Sequence, residues 1–193
     1  MKRVILFLCL TGFVTAANAQ GTFTDPRDGN RYKTIDVQGV TWMAENIRFK
    51  GVEGADYFEN NPNNLSHYGM LYDWKTAMKV CPDGWQLPSG SDFKALIEYN
   101  ESRGAWRVKK TDPNSFGIQL AGMKDYEGTY SEIDEGGYYW TSTEYDADNA
   151  EYFSFLVLTG NEVADLSRKE DLIDIHGSEK TNKYSVRCVK KQK

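Results

Sequence analysis

The groups from which this chain could build chemistry are few in kind: two histidines, three cysteines and twenty-eight carboxylates. His67 stands in a polar loop and His176 in the charged stretch Asp174-Ile175-His176-Gly177. Neither lies beside a recognisable nucleophile motif, so Ser-His-Asp catalysis has no constellation to recruit, and no catalytic residue is assigned. Paired carboxylates could hydrolyse glycosides, but that chemistry needs a separation of about 5 to 9 Å, which a linear sequence does not display. The run from Glu144 to Glu151 offers hard oxygen ligands, with Asp146, Asp148 and Glu151 the candidates for calcium. Its plainer reading is a solvated acidic turn, because charge clusters without a ligand register are common on surfaces. No motif requires a cofactor.

Aromatic residues carry a stronger signal. Twelve Tyr, nine Phe and five Trp are enough to fill a core and leave rings outside it. Trp42, Trp74, Trp85 and Trp140 fall at core-like spacings. Tyr126, Tyr130, Tyr138 and Tyr145 flank glycine-rich loops, where rings can stack on sugars or anchor a protein partner. With the carboxylate of Asp125 they form the candidate ligand-binding set, in loops between Met123 and Glu151. Substitutions in the loop from Gly54 to Asn64 are expected to be silent for ligand binding.

The start of the chain bounds the compartment. Lys2 and Arg3 precede an apolar run from Val4 to Val14, and Ala17-Asn18-Ala19 supplies the small residues of a signal-peptidase site. The run is well short of the roughly 20 residues that span a bilayer, so residues 1–19 read as a cleaved signal peptide and residues 20–193 as one domain, with an N-terminal hairpin arm at about 20–48. The leader holds two of the 23 basic residues and none of the 28 acids, leaving the mature chain with 21 against 28 and a net charge of −7. An acidic surface without a basic stripe makes nucleic acid a poor partner, and no later apolar run reaches spanning length. The expected location is secreted, periplasmic or on the outer cell surface. Two cysteines remain after cleavage, Cys81 and Cys188. In an oxidising compartment they most simply pair, the alternative being two buried free thiols. Neither has a second ligand at zinc spacing.

These groups need elements to position them. Asp28-Gly29 signals a hairpin near the start of the mature chain. Leu71, Trp74 and Met78 share one face of a helix that Pro82 stops. A second helix opens at Ser89-Gly90-Ser91-Asp92, a capping box, and turns Phe93, Leu96 and Ile97 inward. Strands follow at Phe116 to Ala121, Tyr138 to Ser142, Tyr152 to Leu158 and Tyr184 to Val189, with Glu162 to Leu166 as a partner strand and 165–183 a charged, solvated excursion. Helices early, strands late and no βαβ alternation give an α+β domain with two helices and a mostly antiparallel sheet.

The blocks TDPRDGNRYKTIDV, TWMAENI, YGMLYDWKTAM, CPDGWQLPSGSDFKAL, FGIQLAG, GGYYWTSTE and SVRCVK, in that order, resemble the Fibrobacter succinogenes major paralogous domain family across almost all the mature chain. The resemblance implies export, a C-type-lectin-like fold, a shape related to formylglycine-generating enzymes, and a disulfide between Cys81 at the end of the first helix and Cys188 in the last strand. Val37-Gln38-Gly39-Val40 departs from the family pattern by moving the glycine one place. The triplets of calcium-dependent lectins are absent, and Asn61-Pro62-Asn63 is only superficially like one.

These readings converge on an exported non-catalytic module for adhesion or for glycan or protein recognition. The alternatives are a structural or assembly subunit of a surface appendage or envelope complex, and a degenerate relative of formylglycine-generating enzymes. N-terminal mass analysis of the native protein should begin at Gln20, and recovery of Met1 in the mature fraction would refute export by cleavage.

Overall fold

The chain enters the first sheet through a hairpin whose turn is held by side-chain bonds. Asp25 accepts from the backbone N–H of Arg27 at 3.0 Å and pairs with the Arg27 guanidinium at 2.6 Å. This reversal joins β1 (Gln20–Thr24) to β2 (Arg31–Val37) in antiparallel register. Gln38 and Gly39, both at positive φ, then close a two-residue loop onto β3 (Val40–Met43), the geometry that matches strand twist in tight hairpins. The moved glycine therefore still makes a hairpin turn. The computed structural model describes residues 20–102, 117–156 and 173–191. The signal peptide expected at residues 1–19 and the strand expected at Glu162 to Leu166 lie outside them.

Three α-helices occur among the described residues, one more than the sequence pattern suggests: α1 (Pro62–Tyr68), α2 (Trp74–Val80) and α3 (Gly90–Ser102). The additional helix stands in the stretch that composition marks as loop; Asn61 caps it by accepting from Asn63, and Pro62 occupies its first turn. Before it come the short strand β4 (Ala55–Asp56) and a 3-10 turn at Phe58–Asn60, and after it β5 (Leu71–Tyr72). Leu71 is thus on a strand, and Met78 is 44% exposed; the buried residues of α2 are Ala77 and Val80. The apolar stripe Leu71–Trp74–Met78 is corrected accordingly. The capping box at the start of α3 forms as its residues imply: Ser89 accepts from the Asp92 N–H at 3.2 Å, and Asp92 accepts from the Ser89 N–H at 2.8 Å.

The remaining strands are β6 (Ala121–Lys124), β7 (Tyr130–Ile133), β8 (Gly136–Glu144), β9 (Asn149–Leu156), β10 (Ile173–Glu179), β11 (Tyr184–Ser185) and β12 (Val189–Lys191). One sheet runs β1-β2-β3-β12; the other runs β10-β9-β8-β11-β5-β4, with β6 and β7 attached beside β8. Pairing is antiparallel except where β8 meets β11 and β6. Residues 173–179 are a strand paired with β9, so this half of the charged stretch is built into the sheet and His176 is a strand residue rather than part of a free loop.

Alternation along β8 decides the core. Tyr139 faces Phe93 and Phe153 beneath α3, while Tyr138 and Trp140 face Tyr152 and Tyr184 on the other side. Trp140 is fully buried and donates its indole N–H to the Tyr72 carbonyl at 2.7 Å. The molecule is an α+β fold with mixed sheets and one disulfide, Cys81–Cys188, across Cα atoms 5.8 Å apart and 107 positions of sequence. It ties the C-cap of α2 to the segment entering β12. Replacing both cysteines by serine should cost about 2 to 5 kcal/mol in urea unfolding, because so long a loop restricts the unfolded chain strongly; an unchanged unfolding midpoint would remove the bridge from any role in stability.

Candidate functional site

Three turns meet at one end of the second sheet. Residues 125–129 join β6 to β7, residues 145–148 join β8 to β9, and residues 180–183 join β10 to β11. The last of these holds the other two. Lys124 and Lys183 exchange backbone hydrogen bonds at 3.1 and 2.7 Å, and the Lys180 N–H donates to the Asp148 carbonyl at 3.0 Å. Lys180 also sends its ammonium to the Asp146 and Ala147 carbonyls at 2.8 and 2.6 Å and to Glu144 at 2.5 Å.

Below the first turn, Lys124 and Lys183 converge on one carboxylate, Asp56, at 2.7 and 2.8 Å. Burial pushes the Asp56 pKa up, but the two ammonium groups outweigh it and hold the carboxyl below its ordinary value. The same pairing raises the Lys124 pKa. Asp56 lies in the stretch whose substitution is expected to be silent for binding, and its two ion pairs give it a structural role there. Phe58 is buried against Tyr130, and a Cβ on Gly54, at φ +82°, would fall 2.1 Å from an Asp73 carboxylate oxygen.

The candidate binding residues separate by burial. Tyr126 and Tyr145 are 62% and 65% exposed. Tyr126 sits at the tip of the first turn, whose backbone Asp125 fixes by accepting from the Thr129 N–H at 2.8 Å. Asp125 is half-buried, with one carboxylate oxygen engaged in its own turn. Tyr145 lies over Gly177, where any side chain would meet its ring at 2.9 Å. Tyr130 packs on Phe58 and lies 5.0 Å from the Lys124 ammonium. Tyr138 is a correction: only 7% exposed, it stacks on Tyr184 and gives its hydroxyl to Glu132, so it belongs to the core and not to an exposed platform. Burial and that carboxylate raise its pKa strongly.

The calcium candidates do not come together. Asp146 points into its own turn, accepting from the Asn149 side-chain amide at 2.9 Å and from the backbone N–H groups of Asn149 and Asp148 at 2.7 and 2.9 Å, which together lower its pKa. Asp148 is exposed, and the Glu151 carboxylate lies against Gly90 at the start of α3. Among the described residues no three His, Cys, Asp or Glu side chains are grouped to hold a metal ion. Sequence reading missed Asp56, Lys124, Lys180, Lys183 and Gly177; the side-chain hydrogen-bond partners of the four charged residues are 33 to 127 positions away, beyond the reach of local patterns.

The Fibrobacter succinogenes major domain family matches residues 35–190, from β2 to β12. The chain belongs to this family. Two curated proteins are similar over a shorter stretch: the main hemagglutinin component type C of Clostridium botulinum C phage and the main hemagglutinin component type D of Clostridium botulinum D phage. Each is 29% identical over 82 residues, 42% of this chain. The matched stretch spans only 29% of either relative's length. No solved structure matches the chain. The family match contains all three turns, and no helix among the described residues is long and apolar enough to cross a membrane.

In this family member the Asp56 pair couples the turns to proton concentration. A carboxyl whose pKa is depressed by folding stabilises the fold fully above its unfolded value of about 3.9 and loses that contribution as pH falls through the folded value. Asp25, whose pKa burial pushes up but Arg27 brings down further, acts in the same direction. The melting temperature should hold from neutral pH to about 4 and then fall. Asp56→Asn should lower it at neutral pH and flatten the acid limb, whereas an acid limb identical to that of the parent would show that Asp56 is not the titrating group.

Proposed function

We propose that this chain is an exported, non-catalytic binding module with a C-type-lectin-like fold, acting in adhesion or in glycan or protein recognition at the bacterial surface. The observation that carries the reading is the presentation of Tyr126 and Tyr145, two large exposed rings on turns that are both fastened to residues 180–183. A tyrosine offers an apolar face for a sugar ring or a protein side chain and a hydroxyl for hydrogen bonding. Fixing its backbone beforehand lowers the ordering cost of binding. The hemagglutinin names of the two phage relatives agree with surface recognition, though the shared stretch is a minor part of those proteins.

Asp125 and Tyr130 serve as turn supports in this reading, and Tyr138 as core. Calcium is not needed as a cofactor, and nucleic acid is not a partner, since the acidic surface repels phosphate. The reading as an assembly subunit gains support from β1, which among the described residues has a strand on one side only and could accept another chain by strand addition.

Glycan-array binding tests the first reading. Tyr126→Ala with Tyr145→Ala should abolish binding to any glycan the parent retains, while the melting temperature moves by no more than a few degrees. Retained binding would refute the placement of the surface. An array without any bound glycan, combined with recovery of a tight envelope complex that a proline at Thr22 disrupts, would favour the assembly reading.

A further inference from the structure

Three consecutive backbone carbonyls, those of Asp146, Ala147 and Asp148, all accept from one residue. The first two take protons from the Lys180 ammonium at 2.8 and 2.6 Å, and the third takes the Lys180 backbone N–H at 3.0 Å. The Glu144 carboxylate adds a third acceptor to the ammonium at 2.5 Å, and the Trp74 ring lies 5.0 Å from it. Every proton of the ammonium is therefore used. Convergent carbonyls and a carboxylate around one positive centre are the arrangement by which loops hold hard cations.

We propose that Lys180 is the resident cation of this end of the domain, taking the place a calcium ion would occupy and keeping the β8–β9 turn in shape without one. Two of the three carboxylates that an external ion would draw on are committed elsewhere. Asp146 is turned onto the amides of Asp148 and Asn149, and the Glu151 carboxylate lies against Gly90. The charge is covalently tethered to the sheet, so it is neither diluted nor removed by a chelator. It also links a third element, because the Lys180 carbonyl accepts the Trp74 N–H at 3.0 Å at the first turn of α2. One residue, through its side chain and its backbone, thus joins the turn that carries Tyr145, the turn that braces Tyr126 and the start of a helix.

The inference deepens the proposed binding surface by saying what shapes it. Its test uses no glycan, so either can fail alone. Amide hydrogen exchange across residues 145–149 and thermal melting are measured for the full mature chain in EDTA and in millimolar calcium. The parent protein should give the same exchange and the same melting temperature in both, whereas slower exchange or a higher melting temperature in calcium would overturn the proposal. Lys180→Met keeps the length of the side chain and removes its charge. Exchange at Asp148 and Asn149 should then rise about tenfold or more, with a melting temperature lower by several degrees. Parent-like exchange in this variant would overturn the proposal. Glu144→Gln separates the carbonyl cage from a simple ion pair: Glu144 is largely exposed, so its loss should leave exchange near the parent rate. If that variant reproduces the full effect of Lys180→Met, the salt bridge rather than the cage holds the turn, and the inference falls.

Discussion

The buried guanidinium of Arg187 is the constraint around which the rest of the molecule is arranged. It is fully buried, lowered in pKa by that burial, and flanked in sequence by buried Val186 and Cys188. Its Nε donates to the Asn46 side chain at 3.1 Å, an Nη donates to the Gly117 carbonyl, and the Tyr139 ring lies 5.5 Å away. Removing a cation from water costs several kcal/mol unless fixed acceptors replace the solvent. Those acceptors are fixed here because Asn46 is itself saturated. Its backbone N–H reaches Gln119, and its side-chain amide reaches the Tyr68 carbonyl and the Ser185 hydroxyl. One charge therefore makes the segments at 46, 68, 117–119 and 185–187 consistent with each other. An apolar residue at 187 would remove the guanidinium from the Asn46 side-chain oxygen and the Gly117 carbonyl, at about 1 to 3 kcal/mol for each group left buried and unsatisfied.

The same C-terminal stretch explains how two sheets act as one scaffold. Tyr184 and Ser185 pair with β5 and β8 in the larger sheet, and Val189 to Lys191 pair with β3 in the smaller one. Between them, Met43 and Ile47 donate their N–H groups to the carbonyls of Cys188 and Val186. The disulfide then fixes this crossing to the end of α2. Because Tyr184 follows directly on the turn 180–183, rigidity gained at Arg187 passes along a short stretch of chain to Lys183 and then Lys180, which hold the turns. Core and candidate surface are thereby parts of one hydrogen-bonded path.

Much of this was legible in the residues, and what escaped has a physical reason in each case. The capping box at Ser89 and Asp92 is a local arrangement, and local chemistry formed it. The Cys81–Cys188 pairing needed only compartment and motif. The α2 stripe went astray because apolar spacing of three and four counted Leu71, a residue of a two-residue strand, and overlooked Ala77, whose small side chain is fully buried. The helix at Pro62–Tyr68 was hidden by composition, since Asn and Pro mark loops and helix starts alike. Lys180, Lys183 and Asp56 read as ordinary surface charges, and only the approach of distant turns gives them partners.

The tyrosines show why residue type alone cannot delimit a binding surface. Tyr126, Tyr138 and Tyr145 all border glycine-rich or acidic turns, and each has the same ring and hydroxyl. Strand register separates them. Tyr138 stands two residues before Trp140 on the inner face of β8, so its ring must join Tyr184 and its hydroxyl must find Glu132. Tyr145 stands five residues past Trp140, beyond the irregularity in pairing between Trp140 and Glu144, where the alternation no longer dictates its side. The bulge releases that ring from the core, and Gly177 on β10 leaves the space in which it lies. The pairing irregularity and the turn that follows it together carry Tyr145 out of the alternation that holds Tyr138 and Trp140 in the core.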